Sequence, residues 1–321
     1  MKVAVVGAGA VGGHMAAHLA RAGVDVSVVA RGANLQAIQA RGLTVQGVNE
    51  TFTARVHASA DASELGKQDL VITTLKAYGL AQSGGLIAPL LDTDTPVIYA
   101  VNGLPWWYFA QSNREDLAPL LSRLDPTRAL HDVVGVHRAL GCVITSSNTL
   151  LEPGVIENST AENTFVIGEP DQTMSARLSA IIAVLNQGLP GASATASIRE
   201  TIWTKLLVNI PSSLLCCLTF ARGADLTDDP ALADMFRQLG AEGAAVARAL
   251  GVNADPLSDA RLKRLRASGH LPSMAQDLKA GRPIEIDAQL LAVKDVAHAL
   301  GIPIPLIDTL LALLIARARN V

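Results

Sequence analysis

Two hydrophobic rhythms divide this chain. Through its first part, short β-branched runs recur between segments of helical period, whereas the last third carries the helical period alone. Lys2 to Val6 is apolar on both faces, which suits a central strand of a parallel sheet covered on each side. Ala10 to Ala22 then reads as a helix, Gly23 as its stop and Asp25 to Val29 as a second strand, so the chain opens with the β-α-β unit of a doubly wound sheet. Further strands are expected at Leu43 to Val48, Phe52 to His57, Leu70 to Thr74, Val97 to Val101, Ala139 to Thr145, Val155 to Glu157 and Thr164 to Ile167. Pro153-Gly154 marks a turn.

From Pro105 to about Val136 the pattern is irregular and contains PWWYF, which reads as an excursion from the sheet rather than a core element. Its four consecutive aromatics, Trp106 to Phe109, could cover a cleft, meet a partner or fill a core. After about Thr195 the breaks in helical period fall at Gly223 to Pro230, Gly251 to Pro256, Gly269 to Pro272 and Gly281 to Pro283. That shift divides the chain into residues 1–194, an α/β domain, and 195–321, an all-helical domain, with a site expected between them.

Composition narrows the function classes. With 321 residues, half of them hydrophobic, the chain can bury a substantial core. A net charge of −3 without a basic block argues against a nucleic-acid partner. Its apolar stretches are broken before spanning length, which argues against a membrane protein. Cys142, Cys216 and Cys217 match neither a disulfide framework nor a zinc cluster, so a reducing cytoplasm is expected. His14 and His18 lie four apart on the first helix but lack a third ligand, so they read as surface or packing residues and no metal is expected.

The chemistry begins at GAGAVG: Gly7, Ala8, Gly9, Ala10, Val11 and Gly12. The stretch follows a strand and opens a helix, the setting in which a G-x-G-x-x-G turn cradles a dinucleotide pyrophosphate against backbone N–H groups. This makes the first domain Rossmann-type. The second strand ends in Val29-Ala30-Arg31, without the carboxylate that would hold the ribose hydroxyls of NAD; Arg31 instead suits a 2′-phosphate, so NADP(H) is the expected cofactor.

In WTKLLVNIPS, Lys205 and Asn209 stand four apart on one face of an otherwise apolar helix. Taken with KVAVVGAGAVGG, LKAY at Leu75 to Tyr78, VNG at Val101 to Gly103, PSMAQDL at Pro272 to Leu278 and GRPIEID at Gly281 to Asp287, the chain resembles the ketopantoate reductase (2-dehydropantoate 2-reductase) family across both domains. The resemblance implies NADPH-dependent reduction of a 2-oxo acid, first of all ketopantoate. It makes Lys205 the general acid, with Glu285 beside it near the cofactor ribose. Asn102 would lie between nicotinamide and substrate, Asn209 would bind the substrate's polar groups, and Ser273 its carboxylate. Lys76 would join Arg31 at the adenosine phosphate. Physically, hydride addition places negative charge on an oxygen and needs a positioned proton donor in a water-excluded site, which an ammonium tuned by burial and a carboxylate can be.

The chain departs from the family pattern in two places. Where the family commonly has a second Asn two turns beyond the lysine, Ser213 stands as the substrate contact, shorter and without an amide's paired donor and acceptor. Pro211 sits inside the same helix and is expected to disturb it. DAQLL, Asp287 to Leu291, replaces the family's Asn-Gly. Two alternatives therefore stand beside the ketopantoate reading: a reductase for another branched or aromatic 2-oxo acid, and a non-catalytic NADP(H)-binding redox module. The apolar helices of the second domain would also suit a homodimer.

Overall fold

The structure, a computed structural model, describes residues 1–254, 263, 265–267, 269 and 271–319. It divides into two compact units. The first comprises Met1–Val101, Pro105–Ala118 and Leu124–Ile198, and the second Asn102–Leu104, Pro119–Arg123 and Arg199–Val321.

The first unit is built on an eight-stranded sheet. Strands β1 (Lys2–Val6), β2 (Asp25–Val29), β5 (His57–Ser59), β6 (Leu70–Thr73), β7 (Val97–Tyr99) and β8 (Ala139–Thr145) run parallel in the order β5-β2-β1-β6-β7-β8. The order reverses at β1. Ligands of open α/β sheets bind beside that reversal, at the carboxyl ends of the strands. β11 (Thr164–Gly168) joins β8 antiparallel, and β12 (Ala192–Ala194) closes the edge. Four of the five residues in β1 are inaccessible to solvent, as a central parallel strand requires. Helices α1 (Ala10–Arg21), α2 (Gly32–Arg41) and α3 (Ala176–Leu185) belong to the same unit.

A second, four-stranded sheet was not expected. It pairs β3 (Leu43–Gln46) and β4 (Thr51–Ala54) with β9 (Asn148–Glu152) and β10 (Val155–Asn158), the last two joined at Pro153-Gly154. The run Phe52 to His57 is thus not one strand: β4 ends at Ala54 and β5 begins at His57 in the other sheet. Of the three readings of the aromatic segment, burial favours core packing. Trp107, Tyr108 and Phe109 are among the largest fully buried side chains, so the segment serves as core.

The second unit is helical: α4 (Ile198–Thr219), α5 (Gly223–Asp228), α6 (Pro230–Ala249), α7 (Ser273–Lys279), α8 (Ala292–Ala299) and α9 (Pro305–Ala318). α4 runs through Pro211 without interruption. Its length and apolarity would suffice to cross a membrane, but two thirds of its apolar window is buried inside the protein, as befits a core helix. The predicted break at Gly223 contains the short helix α5 instead. Gly251 to Ala254 is non-helical, whereas Asp255, Pro256 and His270 of the predicted breaks lie outside the described residues.

Candidate active site

Within the first unit, the glycine turn lies between the ends of β1 and α1. Gly7 adopts φ +98° and donates its N–H to the Val29 carbonyl at 3.0 Å, tying the turn to the end of β2. Gly12 cannot carry a side chain, because a Cβ there would collide with the Gly7 carbonyl oxygen and with Thr74 Oγ1. A Cβ on Gly9 would meet nothing within 4 Å. The protein's own packing therefore dictates Gly12 but leaves Gly9 unexplained, as expected where backbone must approach a ligand. α1 starts with no side-chain cap and no acidic residue in its first turn, leaving its free N–H groups for an anion.

Thr74, immediately after β6, donates Oγ1–H to the Gly7 carbonyl at 2.6 Å, and Leu75 packs beside Gly7. Lys76 follows, half-buried. Arg31 is the residue preceding α2; it is exposed and forms no ion pair among the described residues. Thus β6 and β2, on opposite sides of β1, deliver Lys76 and Arg31 to one edge of the sheet. Asn34 links the turn to the second sheet: its Nδ2 donates to the Ala8 carbonyl at 2.6 Å, while its Oδ1 accepts from Gly154 N–H at 2.8 Å.

Within the second unit, three segments converge. α4 carries Lys205, half-buried, Asn209, half-buried, and Ser213, which is 3% exposed. After α7, Arg282 turns back onto Asp277, its backbone N–H on the Asp277 carbonyl at 2.8 Å and its Nε on the carboxylate at 2.9 Å. The chain then passes through buried Glu285 into one π-helical turn, Asp287–Leu291. Gln289 on that turn is 2% exposed and accepts a hydrogen bond from Asn209 Nδ2 at 3.3 Å.

Asn102–Leu104 forms the third segment. Leu104 donates its N–H to the Ala288 carbonyl at 2.9 Å, and Gly103, at φ +88°, lies so close to Ala288 and Gln289 that a Cβ would overlap their backbone. The turn bearing Asn102, the π turn that follows Glu285 and the face of α4 bearing Lys205 and Asn209 are therefore connected through Gln289. Ser273 stands apart in these contacts: it is the exposed first residue of α7 and caps nothing.

Sequence reasoning missed Thr74 and Gln289. Thr74 had a signal in its place at the end of a strand beside the glycine turn. Gln289 had only its isolation as an amide in the run Ala288 to Val293. The remaining polar candidates resolve as packing. His14 is buried, its ring 4.4 Å from that of His18, and burial followed by the His18 charge pushes its pKa down to about 3. Burial likewise lifts the Cys216 and Cys217 thiols to about 12, which leaves them inert. No group of potential metal ligands occurs among the described residues.

The family model for ketopantoate reductase PanE/ApbA matches residues 3–172, and that for its C-terminal part matches residues 197–318. A 2-dehydropantoate 2-reductase of Mesorhizobium japonicum is 38% identical over 315 residues, covering 98% of this chain and 96% of the relative. Among solved structures, a candidate ketopantoate reductase from Ralstonia solanacearum MolK2 is 35% identical with a TM-score of 0.92, covering 99% of this chain and 98% of that one. D-mandelate dehydrogenase, solved with NADH and anilino(oxo)acetate, shares the fold at TM-score 0.84 and 22% identity, over 100% and 99% of the two chains.

Proposed function

The chain belongs to the ketopantoate reductase family, nicotinamide-dependent oxidoreductases acting on a CH–OH group, and from that premise we propose that it reduces 2-dehydropantoate to pantoate with NADPH. The observation that carries the reading is the joining of the Asn102 turn, the turn after Glu285 and the Lys205–Asn209 face of α4 within one unit.

The glycine turn fits a dinucleotide: an uncapped helix start for the pyrophosphate, and at Gly9 a backbone that nothing else requires to be bare. Ala8, Ala10 and Val11 complete that cradle. Arg31 and Lys76 form its cationic rim and favour the 2′-phosphate of NADP(H) over the bare ribose of NAD(H). When bound, the reduced nicotinamide supplies the hydride. Lys205 donates a proton to the carbonyl oxygen as negative charge develops there, so the product is a 2-hydroxy acid and the lysine leaves the step neutral. Glu285, buried beside the π turn, favours the ammonium form of that lysine before transfer. Asn102 and Asn209 orient the oxo acid; Ser213 and Ser273 contribute hydroxyls, to its polar tail and its carboxylate respectively.

Steady-state assays over a panel of 2-oxo acids with NADPH and NADH test the reading. Preferential turnover of 2-dehydropantoate with NADPH supports it; equal efficiency with NADH, or inactivity toward 2-dehydropantoate, refutes it. A second reading, reduction of a different branched or aromatic 2-oxo acid, is favoured by the buried Ser213 standing where an amide was expected. A cytoplasmic setting and a homodimer belong to the same proposal.

A further inference from the structure

A primary carboxamide has two unlike ends, one donating and one accepting, and what it selects in a ligand depends on which end is already committed. In Asn209 the donor is committed. Its Nδ2 bonds Gln289 Oε1, 80 positions away in the chain, and among the described residues its Oδ1 has no partner. Without Gln289 the Asn209 amide would lose its one side-chain hydrogen bond among the described residues and could turn over to offer its donor instead.

Gln289 is placed for this task by the π turn. One extra residue in a helical turn rotates the side chains that follow it, which is why such turns recur at sites. The backbone of the same residue lies beneath the Asn102–Gly103 turn, where a Cβ on Gly103 would stand 2.8 Å from Gln289 N. A single residue thus braces two candidate substrate contacts that come from distant segments. Ser213, two turns beyond Lys205 and buried, cannot supply an amide. Gln289 supplies it from another element.

We infer that Gln289 is a positioning residue that determines specificity: it holds Asn209 with its Oδ1 toward the ligand, and so selects 2-oxo acids bearing a hydroxyl on their tail over acids lacking one. The inference rests on the proposed reading of Asn209 as a substrate contact. An acceptor matched to a substrate hydroxyl rejects the analogue without it, because the bound analogue covers the acceptor and leaves it unpaired.

The test compares 2-dehydropantoate with its deoxy counterpart, 3,3-dimethyl-2-oxobutanoate, for the wild type, Gln289→Met, Gln289→Glu, Asn209→Ala and the double variant N209A/Q289M. The wild type is expected to prefer the hydroxylated acid by about 100-fold in kcat/KM, and Gln289→Met to reduce that preference about 10-fold, mainly through KM. Gln289→Glu keeps an acceptor for Asn209 Nδ2 and should preserve the ratio within about 3-fold even if both rates fall, since the ratio cancels a general loss. In the Asn209→Ala background, Gln289→Met should remove nothing more. NADPH affinity and thermal midpoint serve as folding controls, and Gln289→Glu keeps the comparison open should Gln289→Met not fold. An unchanged preference in Gln289→Met, a lost preference in Gln289→Glu, or an additive double variant overturns the inference. If the wild type reduces neither acid, the proposed reaction itself fails and this inference falls with it, an outcome distinct from turnover of both acids at an unaltered ratio.

Discussion

At Gly9 and Gly12 the same substitution should do opposite things. An alanine methyl at Gly12 has nowhere to go against the Gly7 carbonyl and Thr74, so Gly12→Ala should cost about 1–3 kcal/mol of stability, read by chemical denaturation. At Gly9 the methyl projects into open space, so Gly9→Ala should leave stability within about 0.5 kcal/mol yet weaken NADPH binding roughly 10-fold, read by fluorescence titration. Equal stability losses at both positions would mean that Gly9 is structural. Lys205 divides the functions in another way. Lys205→Ala removes the proposed proton donor and should lower kcat by about 10²–10⁴-fold while NADPH affinity stays within about 3-fold, because a general acid contributes to the transition state rather than to cofactor binding. Glu285 and Asn209 could be singled out with it in the sequence because each sits in a motif. The hydrogen bond from Asn209 to Gln289 could not, since a contact spanning 80 positions leaves no local pattern.

Among the elements, α1 combines an uncapped start with a body that holds a buried histidine. His14 packs on His18 and Phe165, and His18 on Phe52, with Arg21 and Glu50 as the nearby charges; neither ring nitrogen of His14 has a partner among the described residues. Its folded pKa lies near 3 against an unfolded value of 6.5, so the unfolded chain binds the extra proton between those pH values. The stabilisation is complete above pH 6.5 and is lost as pH falls toward 3. His14→Phe should therefore flatten part of the acid limb of a stability-versus-pH curve between pH 7 and 4.5, by up to a few kcal/mol relative to the wild type. Parallel curves for the two proteins would remove His14 as the cause. The first β-α-β unit was readable because a doubly buried strand has a continuous apolar run. β9 was not: NTLLE is exposed over its last three residues and has no alternation to mark it, so the four-stranded sheet went unseen. The π turn escaped for a related reason, since its extra residue breaks the period that would announce it.

Across the whole molecule, the division into units does not follow the order of the chain. Asn102–Leu104 and Pro119–Arg123 leave the span of the first unit to join the second, and Ile198, the first residue of α4, stays with the first unit beside Gly141 and Gly168. Two interactions hold the detached segments within the second unit, and their sizes differ. Arg123 pairs with Asp295 at 2.5 Å and Asp287 at 3.5 Å, but all three are about one third exposed or more, so that network contributes at most about 1 kcal/mol. Leu104 is fully buried and bonds Ala288 through its N–H, so its burial contributes about 1.5–3 kcal/mol. A fragment ending at Ile198 would expose Leu104 and leave its amide without Ala288, whereas a conventional two-domain chain would lose nothing internal by the same cut. Residues 1–198 expressed alone should therefore melt well below the full-length protein, and co-expression with residues 199–321 should recover both the melting temperature and NADPH-dependent turnover from the nicked pair. If the fragment alone melts with the full chain, the segments are passengers; if Leu104→Ala loses less stability than Arg123→Ala, the ion pairs outweigh the apolar anchor.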